Sequence, residues 1–432
     1  MNLCLYEDRE APSFGPLALL RPVFALRCGI LTLAEKVAAA FPEAPLHLLV
    51  RPHLAAWTQE LYPSAKVGGL PDEDTLFVNG RLCMTDDEVL HLMAASAQET
   101  SYMSEGTIFA ARVRGERVKH VARFLGEGDA ERAFEDLRYP AEVQGFLARS
   151  SADLIRWSPR QIVQDVKYLF EGGVMRGAVN DGVHMVKKDA IHVARGSRVM
   201  AGATLNAEAG PIVVSEGATI EPLAYIEGPA AIGEGTIVRA GSKIRGCSIG
   251  PVCRVGGEVS EAVFQGYSNK QHEGFLGHSF VGEWVNLGAN TNTSDLKNTY
   301  TNVRHYRSAR DFLEKRGEDS GQLMLGLTVA DFTKTGISTS FTTGAVVGVG
   351  CNLYGTALMP AYVPSFVWGS PGDFVEHRID PMIETVARAM ERRKVPLKTG
   401  LDALLRSVCE GTIEDRRAFL DATTQARGEA LA

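Results

Sequence analysis

The stretch VSEGATIEPLAYIEGPAAIGEGTIVRAGSKI, residues 214–244, decides the fold. Stepping by six from Val214 meets Ile220, Ile226, Ile232, Val238 and Ile244, every one β-branched and aliphatic. Four positions beyond these stops stand small residues: Ala218, Ala224, Ala230, Thr236, Ser242 and Ser248. The register extends upstream, where Val193, Val199 and Leu205 are followed by Ser197, Ala203 and Ala209. It reappears at Phe275, Val281 and Leu287, and again at Phe341, Val347 and Leu353. A period of six is neither the 2 of a strand nor the 3.6 of a helix.

Such a period belongs to hexapeptide-repeat parallel β-helices. Each hexad makes a short flat face and a corner, and three hexads close one triangular coil. The aliphatic residue points inward and stacks on its equivalents above and below. The small residue fits beside the tight corner, and glycines at 196, 202, 217, 235 and 241 supply freedom there. One coil cannot bury its own inner face, so coils must stack. A β-sandwich would instead show period-2 alternation and hairpin turns, which this stretch lacks. Spacing alone does not set the hand of the coil. The register slips over 245–274 and over 299–325, and both segments are expected to be loops thrown out from the coil, gathered on a binding face.

The ends read differently. In residues 1–150, LCLY, LHLLV (46–50) and TLFVNG (75–80) are strand-like, while LTLAEKVAAAF (31–41) and DDEVLHLMAASAQ (86–98) are helical in period. Alternating strands and helices imply an α/β layer with a mostly parallel sheet. Residues 151–180 read as a helical linker, 181–375 as the β-helix, and 376–432 as a tail of amphipathic helices.

Bulk properties bound the function. A chain of 432 residues exceeds one ordinary core. A net charge of -7 argues against nucleic acid as the main partner. No basic and apolar leader and no 18-residue apolar run are visible, so neither secretion nor a membrane partner is expected. The 7 cysteines are scattered without a CxxC pair, which fits reduced cytoplasmic thiols.

The segment SNKQHEGFLGHSFVGEWVNLGANTNTSDLKN, 268–298, concentrates groups able to hold or activate a ligand. A lone histidine is usually structural. His272 lies beside Lys270 and Glu273, where a side chain titrating near neutrality suits a general base for an attacking amine. Asn286 could donate to a developing oxyanion. His278 invites a zinc reading, but a third ligand would have to be His305 or a carboxylate, and no metal ligand is assigned.

These residues carry a resemblance. An α/β domain, then a hexapeptide β-helix with H-x-x-(Y/F)-L-G followed by N-(I/L)-G-A-x-T, resembles the bifunctional N-acetylglucosamine-1-phosphate uridyltransferase/glucosamine-1-phosphate acetyltransferase family. The closer likeness is to its divergent bacterial branch, through RPVFALRCGILTLAEK (21–36), GYSNKQHEGFLGHSFVGEWVNLGANTNTSDLKNTY (266–300) and GISTSFTTGAVVGVGCNLYG (336–355). The resemblance implies a left-handed coil and a homotrimer with shared acetyl-CoA sites. It also implies acetyl transfer to glucosamine-1-phosphate and uridylyl transfer from UTP, with Mg²⁺, giving UDP-N-acetylglucosamine and pyrophosphate. Carried over by position, His272 is the acetyltransferase base, while Asn286 and Ala289 line the sugar-phosphate and acetyl-CoA pockets. Phe275 replaces a tyrosine, and Lys297 stands near a lysine used for the sugar phosphate; Lys270, beside His272, is a further candidate substrate ligand.

The N-terminal domain departs from the family. Its Gly-rich triphosphate loop is replaced by LYEDREAPSFGPLALLRP, with only Gly15, and the metal aspartate of N-G-D is replaced in Asn79-Gly80-Arg81. Arginine does not bind Mg²⁺. Arg21, Arg27 and Arg81, with Asn79, are therefore expected to grip phosphates, with Asp8 or Asp86 holding the metal; ordinary structural charge is the competing reading of these arginines. Two other functions stay open: an acyltransferase whose N-terminal domain only binds nucleotide sugars, and a non-catalytic trimeric β-helix scaffold.

Overall fold

The computed structural model describes residues 1–85, 95, 98–137, 141–142, 145–170 and 172–431. The expected helix over 86–98 and the carboxylate of Asp86 fall largely or wholly outside the described residues. Two compact units emerge. One comprises residues 1–26, 31–150 and 399–404, the other residues 27–30, 151–398 and 405–432.

The first unit holds a seven-stranded sheet. Its strands are β1 (Asn2–Tyr6), β2 (Leu46–Leu49), β3 (Lys66–Val67), β4 (Thr75–Asn79), β5 (Thr100–Ser104), β6 (Thr107–Val113) and β7 (Ala141–Glu142), in spatial order β3-β2-β1-β4-β6-β5-β7. The first four are mutually parallel, and β6 returns antiparallel to β4 with Thr75 opposite Val113. β1 and β4 are buried throughout, which suits their unbroken apolar runs.

Much of RPVFALRCGILTLAEK is structural. Glu7, 4% exposed, accepts from the Val23 amide (2.9 Å) and binds Arg51 through Nε and Nη2, both 3.0 Å. Thr32 and Glu35 form a reciprocal capping box that starts the helix Leu33–Ala40. Arg27–Ile30 belongs to the second unit: the Gly29 amide donates to Ser158 Oγ (3.1 Å) and the Ile30 amide to Asp165 Oδ2 (2.7 Å) on the helix Ser151–Leu169. Gly29 sits at φ +90°, and a Cβ there would lie 2.6 Å from Asp165 Oδ2 and 2.7 Å from Gln161 Cβ. Only glycine fits.

The second unit is a left-handed parallel β-helix. Its three faces are parallel ladders in which each strand pairs with the strand one coil later: Thr219 opposes Ile237, and Tyr225 opposes Lys243, eighteen residues on in each case. Val214, Ile220, Ile226, Ile232, Val238 and Ile244 are all fully buried in one core, stacked in pairs on the three faces. Burying each such side chain contributes about 1.5–3 kcal/mol. The small corner residues have a second role when they carry a hydroxyl. Thr236 Oγ1 donates to Gly250 O and accepts from the Cys253 amide, both at 2.9 Å, and so ties one coil to the next. Ser268 and Thr333 do the same further along.

Three expectations are corrected. Residues 245–274 are not a loop thrown out from the coil. The ladder continues through them with tighter corners, so that Arg254 pairs with Asn269, only fifteen residues on. Phe275 is not in the inward stack: Leu276 is, opposite Val259, and Phe275 faces outward half-buried. Ala209 is exposed at a widened corner, and Ala207 takes the buried place. The insertion expected over 299–325 is present. Phe280 pairs with Thr328, and the intervening chain carries a two-strand antiparallel ribbon (Arg304–His305 with Glu318–Asp319) and the short helix Ala309–Leu313.

Candidate functional site

In the first unit, Asp8 follows β1 and Arg81 follows β4, at the carboxyl ends of adjacent parallel strands. Ligands of open α/β sheets bind at such ends. A cavity of about 520 Å³ opens there, lined among others by Asp8, Arg81, Met103, Asp129, Phe134 and Arg149.

The expected phosphate grips are already engaged. Arg81 is 4% exposed, and its Nη2 and Nε lie 2.5 and 2.9 Å from Asp8 oxygens, while Nη1 donates to Ala148 O at 2.9 Å. Asn79 is fully buried; its Nδ2 donates to Asp8 Oδ2 (2.8 Å) and its Oδ1 accepts from the Arg81 amide (2.9 Å). Thus Arg81, Asn79 and Asp8 form a closed network, and Asp8 is occupied by a cation of the chain itself. Arg21 is buried and does not line the cavity. Arg27 lies in the other unit, its guanidinium bonded to Ile30 O and Gln265 O. The four residues therefore do not converge on a phosphate. Nor do they fit a preformed Mg²⁺ site: among the described residues no group of three or more His, Cys, Asp or Glu side chains could hold a metal ion. That holds equally for the zinc reading of His278.

In the second unit the segment 268–298 divides by face. Lys270 points into the coil between Val255 and Leu287 and is 2% exposed, so it is not a surface ligand. Its ammonium donates to His272 O at 2.6 Å, and burial pushes it down to about 8. His272 projects exposed at the following corner, and its ring makes no hydrogen bond or ion pair among the described residues. Asn286 lies one coil later, bridged in parallel to Asn269, with its Oδ1 accepting from Asn269 Nδ2 at 3.3 Å. Ala289, half-buried, accepts from the Ser338 amide through its carbonyl (2.7 Å). The Phe275 amide donates to Asn292 Oδ1 (2.8 Å). Lys297 is tied to its own loop, with Nζ donating to Asn302 O (2.7 Å) and Thr301 Oγ1 (3.2 Å).

His278 is clamped between carboxylates: Nδ1 lies 2.8 Å from Asp295 Oδ2 and Nε2 3.4 Å from Glu261 Oε2. Burial alone would lower the ring, but the bonds to Asp295 and Glu261 outweigh it and raise it to about 9. It is an imidazolium at neutral pH, a poor base and a firm anchor for the start of the inserted loop. Sequence reading missed this clamp because Glu261, His278 and Asp295 meet only through coil stacking, seventeen residues apart.

Residues 3–173 match the family model of sugar nucleotidyl transferases. Two curated relatives, each named bifunctional protein GlmU, from Bordetella parapertussis and Bordetella bronchiseptica, are 27% identical over 193 residues. That match covers 44% of this chain and only 36% of each relative. Solved structures with a likeness include an Arabidopsis UDP-N-acetylglucosamine acyltransferase (11% identity, 56% of this chain and 97% of that one, TM-score 0.26). Another is the UDP-N-acetylglucosamine acyltransferase from Campylobacter jejuni (11% identity, 56% and 90%, TM-score 0.19). The family match and the curated relatives support a divergent GlmU-like family. No helix among the described residues is long and apolar enough to cross a membrane.

Proposed function

We propose that the chain works in nucleotide-sugar biosynthesis, with acetyl transfer from acetyl-CoA to an amino-sugar 1-phosphate on the coil and uridylyl transfer in the N-terminal domain. The observation that carries the first half is His272, an exposed imidazole without a hydrogen-bond or ion-pair partner among the described residues, one coil before Asn286. In the reaction the sugar amine nitrogen attacks the thioester carbonyl carbon. A C–N bond forms as the C–S bond breaks. His272 takes the proton from the amine and returns one to the departing thiolate. Asn286 Nδ2 faces the developing oxyanion. The glucosamine identity of the sugar rests on the GlmU likeness.

A homotrimer belongs to the same reading. Ile337 (73% exposed), Leu358 (59%) and Tyr354 (43%) on the coil unit are apolar surface that a second copy would cover.

One observation favours a second reading for the N-terminal domain, in which it binds nucleotide sugars without catalysis. Five acids line its cavity (Asp8, Glu10, Asp129, Glu131, Glu135) against three arginines, and two of the arginines are paired within that set. A triphosphate is repelled there unless divalent cations arrive with it. The test is to supply glucosamine-1-phosphate, acetyl-CoA, UTP and Mg²⁺ and follow thiol and pyrophosphate release separately. Both products support the bifunctional reading, thiol alone supports the second, and neither product overturns both.

A further inference from the structure

Four-residue corners follow one another along one edge of the coil, and the corner that carries His272 is built differently from its neighbours. In 200–203, 221–224, 239–242 and 288–291 the fourth amide donates to the first carbonyl, at 3.2, 3.4, 3.3 and 3.1 Å. The third residue of each, Gly202, Leu223, Gly241 and Asn290, takes a φ of +77°, +62°, +70° and +57°. In 271–274, Gln-His-Glu-Gly, no such closing bond forms among the described residues. The positive φ falls instead on the fourth residue, Gly274, at +122°.

The carbonyls are reassigned with the turn. In neighbouring corners the second carbonyl accepts from the coil above: Pro222 O from the Gly241 amide (3.0 Å), Ala289 O from the Ser338 amide (2.7 Å). Here the coil above takes Glu273 O, through the Asn290 amide at 2.9 Å. The second carbonyl, that of His272, is bonded from inside the coil by the Lys270 ammonium at 2.6 Å. Two glycines make room for this arrangement. A Cβ on Gly257, one coil earlier, would lie 2.9 Å from both Lys270 Nζ and His272 O, and a Cβ on Gly274 would strike Thr291 O.

Core packing gives no reason for an amine at this place. Lys270 is 2% exposed in a column whose adjacent members, Val255 and Leu287, are buried aliphatic side chains. Burial pushes the ammonium down to about 8 against the charge of Glu273. An ammonium carries three donors, and among the described residues the His272 carbonyl is its one hydrogen-bond partner. Buried groups that cost stability are kept where geometry matters more than stability. Fixing the His272 carbonyl fixes the plane of the peptide that follows it, and backbone angles decide which side-chain rotamers are open.

We propose that Lys270 is a positioning residue, which holds the His272 carbonyl from inside the coil and so aims the His272 imidazole at the substrate amine. This rests on the reading of His272 as the base. Lys270 is shielded from solvent and substrate, and acts through His272.

The experiment compares wild type, Lys270→Met, His272→Ala and the double variant, with Lys270→Leu, the residue of the next coil, as a second apolar replacement. Three readouts are taken: melting, steady-state acetyl transfer from acetyl-CoA to glucosamine-1-phosphate, and hydrogen exchange of the Asn290 amide. The apolar variants melt at or above the wild-type temperature. Their kcat falls roughly ten- to hundredfold, the cost of a small misplacement, while KM for both substrates changes little. The double variant is no slower than His272→Ala, because Lys270 has no other route to the reaction. The Asn290 amide exchanges faster as its acceptor corner loosens, although the fold as a whole is no less stable. Full kcat in the apolar variants beside a slow His272→Ala overturns the positioning role and leaves the base standing. A double variant slowed by the product of the two single effects overturns it as well. Transfer at the wild-type rate in His272→Ala overturns the base and the positioning role together. Exchange is read without substrate, so an unchanged Asn290 rate overturns the anchoring even where wild type transfers nothing to this sugar.

Discussion

Arg81→Ala is expected to destabilise the N-terminal domain, whatever it does to phosphate binding. The guanidinium and the Asp8 carboxylate are 4% and 7% exposed, and their closest atoms are 2.5 Å apart. Removing Arg81 leaves Asp8 buried with the Asn79 amide group (2.8 Å) and the Glu10 backbone amide (3.1 Å) as its donors. Breaking one side of a buried pair costs about 3–5 kcal/mol. For a domain of this size that is a fall in melting temperature of roughly 6–20 °C. Asp8→Ala should cost a similar amount. The double variant should cost clearly less than the two together, with a coupling of about 2 kcal/mol or more. Thermal and guanidinium unfolding of the four proteins measure this cycle. If Arg81→Ala melts within about 2 °C of wild type while losing nucleotide binding, Arg81 is a ligand grip and the structural account is wrong.

Three further outcomes follow from the same bookkeeping of charge and space. Lys270→Met should stabilise the coil unit at pH 7 by about 1–3 kcal/mol, because a buried ammonium is exchanged for an apolar chain of similar volume; with the folded pKa near 8 below the ordinary 10.5, native Lys270 binds fewer protons than the unfolded chain between these values, so the gain should shrink as pH rises through that window. His278, raised from 6.5 to about 9, contributes stability that is whole below pH 6.5 and lost as pH rises through about 9. His278→Gln should flatten that limb of the melting temperature against pH, and an unchanged slope would discount the clamp. Gly29→Ala forces a side chain into φ +90° against Asp165 and Gln161, and should cost roughly 2–4 kcal/mol by denaturant unfolding.

The coil was legible because its constraint is local. Every coil imposes the same inward aliphatic and small corner residue, so Val214 to Ile244 announce the fold without reference to distant residues. The reading failed where corners changed length. With fifteen rather than eighteen residues between Arg254 and Asn269, a fixed period of six loses phase and mimics a loop. One slip in that region was enough to put Phe275 inside in place of Leu276, and to leave Lys270, which shares the inward column with Val255, on the surface. Arg21, Arg27, Asn79 and Arg81 do not converge, and the sequence hid this for a different reason. Charge says that a partner is needed but not whether the chain already supplies it; Asp8 is 73 positions from Arg81, and only the pairing of β1 with β4 brings them together.

The central claim, that the coil is an acetyltransferase worked by His272, is tested most directly by acetyl transfer from acetyl-CoA to glucosamine-1-phosphate in wild type and His272→Ala, read as thiol release under saturating substrates. The imidazole is exposed and bonds to no side chain or backbone group among the described residues, so the variant should melt with wild type and bind both substrates while transfer falls by about 10²–10⁴-fold, the usual worth of a general base. Transfer at the wild-type rate in a folded His272→Ala would contradict the account.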